Sequence, residues 1–176
     1  MTTPWMLVSP RILPPLDPDF RPAVLCNRAF AEAVRAAGGG ERLVLGLERG
    51  DGSVSRFETA VLPDSHGKAE ANNYYVERLV KFLLWQRGAC KLWVGGPASA
   101  GDFLKRCYQP GGLRDFDFHF MGRDVYETPF EVVSCGADEV PAANETTRPL
   151  GRHLDGCRIG FDLGGSDRKV SAVVDG

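Results

Sequence analysis

The chain has 176 residues, 43% of them hydrophobic and 25% charged, with a formal net charge of −2. That is the composition of an ordinary folded domain, alone or with a small appendage, and it excludes disorder as the default state. Its few Lys and Arg are scattered, which excludes a dedicated nucleic-acid binder with a basic face.

Residues 1–22 hold six of the twelve prolines, so this arm is expected to be extended and packed on the surface. Residues 23–37 read as a helix: Leu25, Ala29, Phe30 and Val34 recur near a 3.6 period, and Gly38-Gly39-Gly40 ends it. Two strands follow, 42–48 and 54–62, joined through Asp51-Gly52, a strong tight-turn signal. Residues 68–87 carry the clearest helical pattern, with Val76, Leu79, Val80, Leu83 and Leu84 on one face, Asn72-Asn73 as capping residues and Gly88 as the stop. A short buried strand at 90–94 closes on Gly95-Gly96-Pro97, and a helix spans 98–108. The stretch after Pro110-Gly111-Gly112 reads as β-rich, with strands at 116–121, 124–128 and 130–134. A loop-like run from 136 marks a soft boundary between 136 and 155. The last element is a hairpin of 157–163 and 169–174 around Gly164-Gly165. The fold class expected is α+β. Residues 1–150 form one mixed-sheet domain with about three helices and six or seven strands, and residues 151–176 open a second domain.

Chemistry concentrates in the terminal hairpin, Arg158-Ile-Gly-Phe-Asp-Leu-Gly-Gly-Ser166 and Val170-Ser-Ala-Val-Val-Asp175. Gly164 and Gly165 can take φ > 0 and bring bare N–H groups close to an anion. Ser166 adds a hydroxyl donor, and Asp162 can hold a hydrated Mg²⁺. Alternation along Ile159, Phe161 and Leu163 is expected to bury one face and leave Asp162 on the other.

The pattern hydrophobic-Gly-hydrophobic-Asp-hydrophobic-Gly-Gly-Ser resembles the first phosphate motif shared by actin, heat-shock chaperone ATPases and sugar kinases. It is most similar to the ROK family of bacterial glucokinases and sugar-responsive repressors. The resemblance covers about residues 157–176. It implies an incomplete actin-like ATPase fold, Mg and ATP as cofactors of the complete protein, and a sugar as substrate or signal. By position it implies Asp162 facing metal and phosphate, Gly164, Gly165 and Ser166 cradling the phosphate, and Lys169 reaching the same anion. The match departs where Asp167-Arg168 follow the turn in place of an early Lys. The expected partners are the rest of the same polypeptide or a second copy, with no nucleic acid and no membrane. No catalytic residue is assigned, and this chain alone is expected to be inactive. The alternative is a non-catalytic regulatory or interaction domain whose terminal hairpin is purely structural.

Other candidates read more plainly. Asp115, Asp117 and His119 share one face of the expected 116–121 strand, with Asp124 nearby, as a solvated face or a metal or acid–base site. Tyr74, Tyr75, Trp85 and Trp93 are packing residues or a sugar or base platform. Gly95-Gly96-Pro97 is a tight turn or an amide cradle. His66 and His153 are lone loop histidines. Cys26, Cys90, Cys107, Cys135 and Cys157 are odd in number and lack zinc spacing, as expected of free thiols in the cytoplasm. The N-terminus shows no signal-peptide pattern, and no apolar run approaches the ~20 residues that span a bilayer.

Overall fold

The computed structural model describes residues 5–146 and 155–175, and these fall into two compact units that divide after Glu145. The 150/151 boundary expected from sequence and His153 lie outside the described residues. The fold is α+β.

The first unit begins with α1 (Ala23–Ala36), which turns Cys26, Phe30 and Val34 inward. Strands β1 (Glu41–Glu48) and β2 (Val54–Val61) form the expected hairpin, and α2 (Ala71–Arg87) buries Val76, Val80, Leu83 and Leu84. Strand β3 (Lys91–Gly95) leads through α3 (Ala98–Cys107), α4 (Asp115–His119) and a π-helical turn (Phe120–Val125) into β4 (Glu131–Cys135). The sheet order is β2-β1-β3-β4, with β1 antiparallel to both neighbours and β3 parallel to β4. The parallel pair requires a crossover, which the α3–α4 segment supplies.

The inner face of this sheet carries Leu43, Leu45, Leu47, Leu92 and Val94, all at most 1% exposed, in one cluster with residues of α1, α2 and α3. The outer face is not bare. Residues 136–145 run across it as a strap and drop Val140 onto Gly46 and Gly95, where a Cβ would lie 2.8 and 2.4 Å from the Val140 methyls. Both glycines are outward-facing cross-strand neighbours of bulky positions, Trp93 and Val44, so missing side chains make the groove that Val140 fills. Arg42 pairs with Asp138 at 2.6 Å, Arg56 donates to the Val140 carbonyl at 2.8 Å, and Asn144 Oδ1 accepts from Val54 N at 2.6 Å. At its end Glu145 accepts from the Ser55 hydroxyl and pairs with Arg49. Those two partners, Ser55 foremost, hold its carboxyl below the usual range.

Several expectations need correction. Residues 116–121 and 124–128 are not strands: 116–125 belong to α4 and the π-helical turn and 126–128 to a bend, so the first unit has four strands among the described residues. Asp-Phe-Asp-Phe-His-Phe alternates with period two, yet its i, i+4 pairs also suit a helix: Phe116 stacks on Phe120 at 5.5 Å, and Asp115 meets His119 at 3.4 Å. Asp115 also accepts from Gly111 N at 2.7 Å, which closes the glycine turn onto the helix start. Nor does Asn72 cap α2. Buried, it clasps the backbone of Leu62 through both amide atoms, at 3.0 and 2.7 Å. At Gly96, φ is 141° and a Cβ would strike the Arg42 carbonyl, so the glycine pair serves a close backbone approach.

The second unit is a ribbon of β5 (Cys157–Leu163) and β6 (Arg168–Val174), antiparallel and in full register. Asp175 closes its open end, accepting from Gly156 N at 3.0 Å through its side chain and donating its own N–H to the Gly156 carbonyl.

Candidate functional site

The ribbon register sorts its residues onto two faces, because cross-strand partners point the same way. Cys157↔Val174, Ile159↔Ala172, Phe161↔Val170 and Leu163↔Arg168 share one face, which is apolar but for Arg168. Arg158↔Val173, Gly160↔Ser171 and Asp162↔Lys169 share the other. Asp162 thus stands opposite Lys169, one residue before the strand ends, with Lys169 Nζ 3.7 Å from Asp162 Oδ2 and 3.2 Å from Asp167 Oδ2. Two carboxylates and the Ser166 hydroxyl on one short stretch are hard oxygen donors of the kind Mg²⁺ takes, so the residue types suit a metal–phosphate group.

Two expectations about this hairpin fail. Gly164 and Gly165 do not adopt positive φ, and space at Gly164 is closed by Asp167, whose carbonyl and carboxylate oxygens would lie 2.8 and 2.9 Å from a Cβ. The turn is therefore shaped partly by its own acid. The apolar face is also not buried: Ile159 is 67%, Phe161 69% and Leu163 76% exposed. Alternation predicts which residues share a face, but burial needs a covering layer, and the described residues of this unit are only two strands.

The remaining candidates disperse. His119 and Asp115 pair on the surface, whereas Asp117 is buried behind them and joins a different network; Asp124 pairs with Arg123. Tyr75 stacks on Phe30 at 4.1 Å and shares a hydrogen bond with Thr59, Tyr74 lies under Arg78, and Trp93 donates to Glu48 at 2.7 Å. His66 Nδ1 accepts from Lys68 N. Tyr74, Tyr75 and Trp93 do not line one platform.

Trp85 belongs to a site that periodicity did not flag. It projects from the outer side of α2 with Arg78, Lys81, Phe82 and Gln86, a second stripe at i, i+3, i+4, i+7 and i+8 beside the core stripe. These residues, with Ala23 and Asn27 of α1, Leu79 and Arg114, line an open groove of about 820 Å³. Beneath it Arg114 forms a close ion pair with buried Glu77 and lies 3.8 Å from Asp117 Oδ2, which Lys81 Nζ also approaches at 3.8 Å. Trp85 Nε1 donates to the other Asp117 oxygen at 2.6 Å, which fixes its indole edge. Phe120 and Phe116 stack nearly parallel to that indole at 5.3 and 6.4 Å. The signal available in sequence was Phe82 and Trp85 on the polar side of an amphipathic helix, where exposed aromatics are uncommon.

Among the described residues no group of three or more His, Cys, Asp or Glu side chains converges as a metal site, and no helix is long and apolar enough to cross a membrane. Compared with protein-family models, with curated proteins and with solved structures, the chain matches none.

Proposed function

We propose that residues 157–175 are the first phosphate-binding hairpin of an actin-like, ROK-type nucleotide fold, and that the chain is the amino-terminal part of a cytoplasmic sugar kinase or sugar-sensing protein. One observation carries this reading: the ribbon divides into a bare apolar face and a polar face whose turn end sets Asp162 opposite Lys169. A lone two-stranded ribbon is marginal in water, so Ile159, Phe161, Leu163 and Val170 call for a covering layer such as the rest of a nucleotide-binding lobe. In this reading Asp162 holds hydrated Mg²⁺, and the N–H groups of Gly164, Gly165 and Ser166 face phosphate oxygens. Lys169 exchanges its carboxylate partners for the anion. Bound Mg-ATP supplies the phosphoryl group, and a sugar accepts it or is sensed. The ribbon lines one side of a cleft only, so the 176 residues alone are not expected to transfer phosphate. Residues 1–150 act as an accessory region that docks on the lobe, regulates it or mediates self-association.

The test is calorimetric titration of the natural gene product, including any sequence beyond Gly176, with a non-hydrolysable ATP analogue, with and without Mg²⁺. Mg-dependent binding that falls about tenfold or more in Asp162→Asn is expected, the loss of one charge-assisted ligand. Absence of Mg-dependent binding, or binding indifferent to that substitution, overturns the reading.

A second reading is favoured by a specific contact. Lys169 is already paired with Asp162 and Asp167, and Asp167 fills the space at Gly164, so the turn is satisfied by its own side chains. On this view the hairpin is structural and the protein is a non-catalytic regulatory or interaction module. Failure of the titration would leave this reading in place.

A further inference from the structure

We propose that the groove along the outer side of α2 is a binding site for a small anion carried on a flat ring, an aromatic carboxylate or phosphate ester being the chemical class. The inference concerns the first unit alone and stands apart from the hairpin.

Charge comes first. The groove lining includes Arg78, Lys81 and Arg114 but no acidic side chain. The two carboxylates nearby, Glu77 and Asp117, are 6% and 2% exposed and lie behind the lining. Arg114 is spent on both, and Lys81 only approaches Asp117 at 3.8 Å while staying 42% exposed. Arg78 is exposed, makes no ion pair among the described residues and rests over the Tyr74 ring at 5.3 Å. Two cations at one end of the groove are thus open to an incoming anion, and a guanidinium binds carboxylate or phosphate in a bidentate fork.

The ring follows from Phe82 and Trp85, which are 61% and 49% exposed one turn apart. Large exposed aromatics cost solvation unless something covers them, and their flat faces favour a flat partner. Trp85 is not free to swing away: its Nε1 is tied to buried Asp117, and Phe116 and Phe120 stack parallel to its ring. Asp117 is itself held by Arg114, three residues earlier in the chain. The platform is therefore preorganised, so little entropy is lost on binding. Asn27 and Gln86 add neutral hydrogen-bonding groups at the rim. The volume, about 820 Å³, lies within the roughly 300–1,000 Å³ of small-molecule sites.

The probe is 1-naphthyl phosphate, titrated into the ¹⁵N-labelled chain and followed by the three indole and the backbone N–H resonances, with 1-naphthol and inorganic phosphate as separate arms. Saturable shifts confined to the Trp85 indole, residues 78–86 and Arg114 are expected, with affinity about tenfold or more above either half-probe. Arg78→Gln and Phe82→Ser change exposed side chains and leave the fold intact. Each should weaken binding about threefold to tenfold, the first through charge and the second through stacking. The site is overturned if millimolar 1-naphthyl phosphate moves none of these resonances. It is equally overturned if 1-naphthol binds as well, or if both variants bind unchanged.

Discussion

Leu45 and Phe161 hold comparable places, each apolar and central in one strand of an antiparallel hairpin, yet Leu45 is 0% and Phe161 69% exposed. Around Leu45 the sheet has helices on one face and the 136–145 strap on the other, so β1 is buried on both sides. Among the described residues of its unit, Phe161 has only the partner strand beside it. Pairing and register do not distinguish the two ribbons; layers do. A ladder of backbone hydrogen bonds arranges side chains, but only burial against a second layer contributes the larger share of stability. The first unit thus has its sheet covered on both faces, whereas the described residues of the second are a two-stranded ribbon whose apolar face is exposed.

The comparison breaks most severely at Arg114. Its guanidinium neutralises Glu77 and lies near Asp117, both almost fully enclosed. Arg114→Met keeps the packing volume but leaves Glu77 without its cation and Asp117 with only Lys81 and Trp85. Removing one partner of a buried ion pair costs about 3–5 kcal/mol. Urea unfolding followed by circular dichroism should show that loss in the first unit.

A milder break tests the strap. Gly46→Ala places a methyl 2.8 Å from Val140 Cγ1 and 3.1 Å from Trp93 Cβ, and such overpacking costs about 1–3 kcal/mol. If the strap is the obstacle, Val140→Ala should recover part of that loss in a double-mutant cycle. A cycle with no coupling would mean that Val140 does not press on the sheet at Gly46.

Where local pattern and tertiary need agreed, the residues were readable before any coordinates. Val76, Val80, Leu83 and Leu84 recur at helical spacing and do face the core, and Asp51-Gly52 does turn β1 into β2. The Cys157–Val174 ribbon pairs as its alternation implies. Elsewhere the deciding partner is distant in the chain. Nothing local says that Val140 belongs over Gly46 and Gly95, or that Asn72 will clasp Leu62 rather than cap its own helix. Asp-Phe-Asp-Phe-His-Phe satisfies both a two-residue and a four-residue rhythm, and the ion pairs of Asp117 with Arg114 and Lys81 accompany the helical choice. The groove was missed for a related reason: Phe82 and Trp85 sit between core positions, and Arg114 joins them only when the chain returns from α3.

The smallest effect falls on the hairpin, and it sharpens the comparison best. Phe161→Ala should change the stability of the first unit by no more than about 0.5 kcal/mol, as for other exposed sites. Within the ribbon it removes one cross-strand contact with Val170, of about 0.2–1 kcal/mol. Amide exchange reads the ribbon directly. In the 176-residue chain the β5 and β6 amides should show protection of roughly tenfold or less, an opening free energy of ~1.4 kcal/mol, whereas β1 amides at Leu43–Leu47 approach the global value. If the apolar face is the inner side of a nucleotide-binding lobe, a polypeptide extended past Gly176 should raise protection in β5 and β6 by orders of magnitude, and there Phe161→Ala should cost about 3–5 kcal/mol. Unchanged protection in the longer chain would mean that this face is not completed by the same polypeptide. Ile159, Phe161 and Leu163 would then need their cover from another molecule.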